Sequence, residues 1–561
     1  MTHIRENMTD KQLGPDGLSK YSVFLPALSG FYSTYIGRQQ AGEYVSQSRI
    51  PADFENGIEG LNYLNADQGY FTYKWSLYSA GHANLDLTKD DPKENMIRKR
   101  DRKNTLIVGD SGGFQIAKGV WEGNWADPKD VKSEKRRSEV LKWLDGISDY
   151  AMTLDIPTWV THDKEVGKKV GIKTYADCIN TTLYNNEYFV RKRNGGAKFL
   201  NVLQGSNFRE ADDWYSHVKK FCDPKQYPGE HFNGWAMGGN NMSEIHLILR
   251  RLVELRYDGL LEKGVHDWMH FLGVAKLEWG CMLTDIQTAI RKYHNPNWTA
   301  SMDAASAFLA TANGMVYHEN TYPDRGNWAY RMNPGADDKK YGRDSRPWGQ
   351  AMTQDGIFKS FIESPISRRL KLSDICVYGH GVPNWTEVAA DAVDHVKLFK
   401  DPALLNNPKY WVTQGDKNKI DKVGATSWDS FSYALQMGHN VWTHIEAVQE
   451  ANRRYEAGTS TPKMLVKEDF HRIMFKDIVE RVFSTSSKSQ ALAAIDEYDK
   501  FYLGIVGTRG LSGKKSVNAH SQYRSLFDEV DTVAVDDTLA AEPVLDTAAL
   551  DTLENSIITG V

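Results

Sequence analysis

The chain is predicted to fold as an α/β protein, a TIM (β/α)8 barrel with a large insertion and a C-terminal, mostly helical region. Three observations support this fold. Short apolar runs recur along the first half of the chain, most of them are followed by a helical pattern, and polar or glycine residues stand where the runs end. With 561 residues, the chain is long enough for one large barrel and a second region.

Seven apolar or β-branched runs are predicted as strands, because a continuous hydrophobic run indicates burial on both faces of a parallel sheet. They cover residues 22–28, 105–110, 150–156, 198–205, 234–239, 270–274 and 299–305. Helical patterns lie at 133–146, 174–193, 208–221 and 243–262. We expect an eighth strand within 60–90, where the pattern is weak. This alternation fits a doubly wound sheet or a closed barrel.

The residues at the strand ends favour the barrel. They are Asp110, Asp155, Gln204, Gly238 with Gly239, Gly273 and Asp303. In a barrel these carboxyl ends converge on one mouth, whereas a doubly wound sheet concentrates its site at one switch point. Each residue alone fits a cap or a turn, but their succession at strand ends predicts a shared site.

The domain organisation follows from changes in composition. Residues 1–312 are predicted to hold most barrel strands, 313–425 an insertion, 426–525 a helical region that completes the barrel, and 526–561 an acidic tail. The segment 320–350 is rich in Gly, Pro, charged and aromatic residues and is expected to be a long loop or an inserted segment. Helices are expected over 427–457 and 467–503.

The charge distribution is compatible with a nucleic-acid partner, although the net charge is -5. Nine acidic residues and no Lys or Arg follow Arg524, so the rest of the chain carries +4. Basic clusters lie at 98–103, 135–137 and 191–193. Each alone is typical of a solvated helix face, whereas three in the barrel half are compatible with nucleic acid.

The cellular compartment is expected to be the cytoplasm. The four cysteines are far apart and form no CxxC pair, which argues against a disulfide framework and for a reducing compartment. The N-terminus lacks the apolar core of a signal peptide. No stretch approaches the roughly 18 apolar residues of a membrane span, so no membrane partner is expected. The oligomeric state is not predicted.

Five short motifs carry the chemistry, and the most specific is GDSGGFQ at 109–115, directly after a strand. Its glycines allow close approach of the backbone to a ligand, and Phe114 offers a face for stacking. The others are VLQG at 202–205, GWAMGG at 234–239, FLGV at 271–274 and SMD at 301–303.

In this order and spacing the motifs resemble the tRNA-guanine transglycosylase family over roughly residues 100–310, with a weaker similarity in 427–457. The resemblance implies a double displacement at the sugar C1′. Asp303 matches the nucleophile, Asp110 the general acid/base, and Asp155 the carboxylate that reads the guanine edge. Gln204 and the backbone at Gly239 match the groups that bind the base O6. Base contacts are also expected from Ser111, Gly113, Phe114, Gly238 and Leu272, with Phe114 and Leu272 on the two sides of the base.

The chemistry gives independent reasons for these residue types. Cleavage of a glycosidic bond through an oxocarbenium-like transition state calls for two carboxyl groups with separate roles. A covalent intermediate divides one hard step into two, and the leaving base needs a proton donor. Each aspartate alone also fits an ion-paired or capping residue.

Two departures from the family concern the substrate. Its zinc site of three cysteines and a histidine has no counterpart here beyond Cys376 and His380, so no cofactor is expected, and a zinc site completed by remote ligands is the alternative. The family's Thr-Arg pair after the nucleophile is also missing, because Ala304 and Ala305 follow Asp303. The chain is therefore more similar to the DNA 7-deazaguanine transglycosylases of phages, which would act in the host cytoplasm.

That similarity implies exchange of guanine in DNA for a free 7-deazaguanine such as preQ0. Extraction of a base from a duplex costs a few kcal/mol, which phosphate contacts and stacking offset. We expect the 320–350 segment to contact DNA, and the alternative is an insertion packed for stability alone. The candidate contacts are Arg325, Trp328, Arg331, Arg343 and Arg346.

Three other functions stay open at this point. The nearest is a tRNA-guanine transglycosylase that acts on tRNA without the usual zinc site. The second is a non-catalytic nucleic-acid-binding barrel, which the three strand-end aspartates disfavour. The third is a TIM-barrel glycoside hydrolase, which the QG and GG motifs fit poorly.

Overall fold

The computed structural model describes residues 6–40, 49–205, 207–239, 244–379, 382–383, 427–428, 430–467 and 472–505. Eight strands form one parallel sheet, which confirms the predicted fold class. The strands are β1 Val23–Pro26, β2 Trp75–Ser79, β3 Leu106–Asp110, β4 Tyr150–Met152, β5 Lys198–Leu203, β6 Gly234–Met237, β7 Trp268–Phe271 and β8 Thr299–Ala304. The eighth strand, β2, lies within the range expected for it.

The sheet curves into a barrel because its two edge strands meet. Strands that are successive in the chain are neighbours from β2 to β8, and β8 pairs with β1. A parallel bridge joins Ala27, just after β1, to Leu77 of β2, and the Leu28 amide donates to the Leu77 carbonyl at 2.9 Å. This closure excludes the doubly wound sheet.

Helices follow the strands and cover the outside of the barrel. A capping box, in which Thr174 and Asp177 bond to each other's backbone, begins the longest helix between two barrel strands. The helices of this half are α1 Gly30–Gln40, α2 Pro92–Arg98, α3 Gly113–Ala117, α4 Val131–Ile147, α5 Lys164–Val170, α6 Tyr175–Lys192, α7 Phe208–Val218, α8 Ile245–Tyr257, α9 Leu277–Tyr293 and α10 Ser306–Ala312.

The insertion contains an antiparallel hairpin, so that part of 320–350 is a folded insertion rather than a long loop, the other expectation. Its strands are β9 Met315–Thr321 and β10 Ala329–Pro334. The buried side chains of Val316, Tyr317 and Tyr330 give the hairpin an apolar face. Two short helices follow, α11 Trp348–Gln354 and α12 Leu372–Ile375. The rest of the predicted insertion, from 384 to 426, lies outside the described residues.

The C-terminal region that the structure describes, up to residue 505, is mostly helical, as predicted. It does not complete the barrel as expected, because all eight barrel strands lie between residues 23 and 304. Helix α13 Ser430–Glu456 packs against α9, α10 and β1. The single helical stretch expected over 467–503 is divided into α14 Phe475–Phe483, α15 Lys488–Asp496 and α16 Asp499–Tyr502. Helix α14 packs on α9, and α15 packs on α8. The predicted acidic tail lies outside the described residues.

Two further findings concern the whole described part of the chain. All four cysteines are buried and free. Among the helices that the structure describes, none combines the length and apolarity needed to cross a bilayer.

Candidate active site

Three aspartates lie at the same end of the barrel, because all its strands run parallel and each aspartate is at or just beyond the carboxyl end of its strand. They are close enough to influence one another electrostatically. The charge of Asp303 raises the pKa of Asp110, and the charge of Asp110 raises the pKa of Asp155. The structure therefore brings together the three acids that the sequence singled out.

Asp303, at the end of β8, is held through one of its two carboxylate oxygens. The Gly273 amide donates to Asp303 Oδ1 at 2.7 Å, and His270 Nε2 lies 3.1 Å from the same oxygen. Gly273 has φ +67°, a conformation that favours glycine. The Asp303 side chain is 15% exposed. A nucleophile needs this combination of restraint and access.

Asp110, at the end of β3, has a different environment. Ser79 Oγ of the neighbouring strand donates to Asp110 Oδ2 at 2.6 Å. Burial raises the pKa of the Asp110 carboxyl, the Ser79 hydroxyl and the Gly112 amide lower it, and the Asp303 charge raises it again. A raised pKa favours the protonated form, which can act as a proton donor.

Asp155 follows β4 and is paired with Gln204, which follows β5. Gln204 Nε2 donates to Asp155 Oδ2 at 2.9 Å, and burial raises the pKa of Asp155 to about 7. Gln204 Oε1 is buried without a hydrogen-bond partner in the part of the chain that is described. A buried, unpaired oxygen is costly, and a ligand donor would satisfy it.

Glycines next to these acids leave no room for a side chain. A Cβ on Gly113 would lie 2.6 Å from the Asp155 carbonyl oxygen, and one on Gly238 would lie 2.7 Å from Gln204 Nε2. Gly239 has φ +60°. The glycines of the GDSGGFQ and GWAMGG motifs therefore leave the space that the Asp155–Gln204 pair occupies. Ser111, also predicted here, is buried.

An aromatic pair lies beside the GDSGGFQ motif. The rings of Phe114 and Trp159 are 5.7 Å apart at 58°, and Lys118 Nζ lies 5.6 Å from the centre of each. Leu272, the second predicted base contact, is half-buried in the turn after β7, and its amide donates to the Met237 carbonyl at 3.1 Å.

His270 and Ser301 belong to this site but were missed in the sequence. They lie inside β7 and β8, where the register pairs them directly, and both are fully buried. Their strands were interpreted as continuous apolar runs. The available signal was two hydrogen-bonding side chains inside such runs, which need partners when buried.

One of the predicted DNA contacts, Trp328, does not fit its position. Trp328 is only 5% exposed, its amide donates to Glu278 Oε1 at 2.9 Å and its ring packs edge-on against Tyr322. It cannot stack on a base from there. The Arg346 guanidinium is already shared by Asp344 and Asp355 at 2.7–3.1 Å. The other three predicted contacts, Arg325, Arg331 and Arg343, are exposed.

Two of the three basic clusters lie at the end of the barrel opposite the aspartates, where they cannot contact a nucleic acid bound at the mouth. Residues 98–103 and 191–193 precede β3 and β5, so they lie at the amino ends of the strands, opposite the aspartates. Arg100 is buried and bonded to Asp149 at 2.9 Å. Only 135–137, in the first turns of α4, lies on the side of the mouth, and Arg137 of this cluster is buried.

No group of three or more His, Cys, Asp or Glu side chains that could hold a metal occurs among the residues the structure describes. Cys376 Sγ lies 3.1 Å from the Ala336 carbonyl oxygen, and His380 is outside the described residues. No protein-family model matches the chain, and no curated protein matches it. The family resemblance therefore rests on the motifs.

Proposed function

We propose that this protein is a base-exchange pentosyltransferase that replaces guanine in DNA with a free 7-deazaguanine such as preQ0. The observation that carries the proposal is the contrast between two carboxyl groups at one mouth. Asp303 is held by two groups at a single oxygen, whereas burial raises the pKa of Asp110. Such a division into nucleophile and acid is the one that glycosidic chemistry requires.

In the first step an oxygen of Asp303 attacks C1′ of the deoxyribose. The C1′–O bond forms as the C1′–N9 bond breaks, and the electron pair of the broken bond stays with guanine. The proton of Asp110 passes to the leaving guanine, so that Asp110 becomes ionised. The product is a covalent ester between Asp303 and the DNA sugar.

In the second step the 7-deazaguanine takes the place of guanine. Its N9 attacks C1′, the bond from C1′ to Asp303 breaks, and the N9 proton returns to Asp110. The carboxylate of Asp303 and the acid form of Asp110 are both regenerated. The exchange is balanced without an added oxidant, reductant or cofactor.

Selection of the base is assigned to Asp155 and Gln204. An ionised Asp155 would accept hydrogen bonds from the N1–H and 2-amino groups of guanine, which preQ0 shares. One N–H of the Gln204 amide is used on Asp155, which leaves the second for a base carbonyl. A pKa of about 7 lets Asp155 ionise near neutral pH when a donor arrives.

The position of the hairpin is compatible with a nucleic acid as the macromolecular substrate. The Trp328 amide bonds to Glu278, and the Tyr330 hydroxyl donates to the Ala275 carbonyl at 3.0 Å. Ala275 lies just before α9 and Glu278 lies in its first turn, directly after the turn that holds Asp303. Arg331, next to Tyr330, is exposed and is a candidate phosphate contact on this side of the barrel.

The test is nucleoside mass spectrometry after incubation of the purified protein with preQ0 and either duplex DNA or tRNA. The expected result is preQ0 deoxynucleoside from the DNA, and none when Asp303→Ala is used. Incorporation into tRNA alone would instead identify a tRNA enzyme. Binding of DNA without exchange of either nucleic acid would support the non-catalytic barrel.

A further inference from the structure

A chain of hydrogen bonds leads from the barrel interior to Asp303. Trp268 Nε1 donates to Ser301 Oγ at 2.8 Å, Ser301 Oγ lies 2.9 Å from His270 Nδ1, and His270 Nε2 lies 3.1 Å from Asp303 Oδ1. His270 and Ser301 are fully buried, so water does not compete for these bonds. The four side chains come from the adjacent strands β7 and β8.

The donors and acceptors along these hydrogen bonds select one tautomer of the neutral His270 ring. An indole N–H can only donate, so Ser301 Oγ accepts from Trp268 and its own hydrogen is free to point at His270 Nδ1. Nδ1 is then an acceptor, and Nε2 of the neutral ring carries the proton. The other tautomer would direct a lone pair of Nε2 at a carboxylate oxygen, which is repulsive.

We propose that His270 is a positioning residue that donates from Nε2 to Asp303 Oδ1 and so reserves Oδ2 for the attack on C1′. This inference rests on the proposed function. With the Gly273 amide on the same oxygen, two donors fix the rotation of the carboxylate. Ser301 acts one step further away, because it keeps the imidazole in the tautomer that donates.

The proposed role concerns the orientation of the Asp303 carboxylate and not the binding of the substrate. Misplacement of a reacting group by about 1 Å costs on the order of 100-fold in rate. Loss of the His270 donor should therefore lower kcat, whereas KM should change little because both ring nitrogens of the buried His270 are bonded within the protein. A purely structural role would instead lower the folded fraction and leave the kcat of the folded protein intact.

The kinetic test compares His270→Phe, which keeps a ring but removes the donor, with His270→Gln, whose amide can donate. We expect His270→Phe to lower kcat by about 100-fold, and His270→Gln to recover about tenfold of that loss. Ser301→Ala should fall between wild type and His270→Phe. Equal losses in the Phe and Gln variants, or a change in KM alone, would overturn the proposal.

A spectroscopic test does not depend on catalysis. In protein with 15N-labelled histidine, the imidazole signals that disappear in His270→Gln identify His270 among the 16 histidines. We expect a protonated Nε2 and an unprotonated Nδ1. A protonated Nδ1 together with an unprotonated Nε2 would overturn the proposal even if the enzyme exchanges bases. Wild-type protein that exchanges no base would refute the proposed function, whereas the tautomer would still show whether the donor to Asp303 exists.

Discussion

Asp155 accepts a 2.9 Å hydrogen bond from Gln204, and the side chain of each residue is only 6% exposed. The bond joins the ends of two neighbouring barrel strands. Burial raises the pKa of Asp155 to about 7, and the nearby charge of Asp110 adds to the effect. Asp155 is the residue assigned to base selection. Its ionisation near neutral pH therefore lowers the free energy of unfolding.

Asp155→Asn should become more stable relative to wild type as the pH rises. The folded-state pKa of Asp155 lies above its ordinary value of 3.8, so its contribution to stability is full below pH 4 and is lost as the pH rises through about 7. Asparagine does not ionise. We expect the stability difference to shift in favour of the variant by about 3 kcal/mol between pH 5 and pH 8, measured by denaturant unfolding.

Asp285→Asn is the matched control for this variant. Burial also raises the pKa of Asp285 to about 7, but Asp285 bonds to Tyr455 between α9 and α13, away from the mouth. Both variants should therefore show the same direction of pH dependence in stability. Only Asp155→Asn should lose base exchange. Equal activity of the two variants would show that Asp155 does not select the base.

Ser79→Ala should move the pH profile of guanine release. The Ser79 hydroxyl lowers the pKa of Asp110, so its removal raises that pKa further. If Asp110 must be protonated to assist the leaving base, the limb on which kcat/KM falls at high pH should move to higher pH. The measurement is kcat/KM for exchange of labelled guanine across pH. An unmoved limb would show that another group sets it.

Gly238→Ala should impair exchange through Gln204. The new methyl group would lie 2.7 Å from Gln204 Nε2, so the amide must shift away from Asp155. We expect a fall in kcat/KM of about 10-fold, and no added loss when Gly238→Ala is combined with Gln204→Ala. This double-mutant cycle is read from steady-state kinetics. Additive losses would mean that Gly238 acts on the base site without Gln204.

Arg331→Ala should weaken binding to DNA of any sequence. Loss of one phosphate contact should reduce the slope of log K against log salt by about 1. Lys103→Ala removes the same charge from an exposed position at the opposite end of the barrel and should leave the slope unchanged. Fluorescence anisotropy at several salt concentrations measures both. Identical slopes for the two variants would exclude the hairpin as a phosphate contact.

The barrel was predictable because its strands are continuous apolar runs between helical patterns. The strand Trp75–Ser79 could be placed only loosely, because two serines interrupt its apolar residues. The three aspartates were predictable from their places at strand ends. The hairpin was not, because the Gly, Pro and charged residues of 320–350 obscured its strand pattern.

The remaining errors concern partners that are distant in sequence. The burial of Trp328 depends on Glu278, 50 residues earlier, and His270 gains its role from Ser301 and Asp303, which are 31 and 33 residues away. The basic clusters are a different case. Two of them precede predicted strands, and this position, rather than their charge, assigns them to the end of the barrel opposite the aspartates.

The most direct test of the central claim is to trap the covalent intermediate. A guanine-containing DNA oligonucleotide is mixed with wild-type protein, quenched in denaturant during turnover, and analysed by intact-protein and peptide mass spectrometry. We predict an adduct of protein and DNA that maps to Asp303, is absent in Asp303→Asn and is retained in Asp285→Asn. An adduct that persists in Asp303→Asn, or base exchange by wild type without any adduct, would contradict the assignment of Asp303 as the nucleophile.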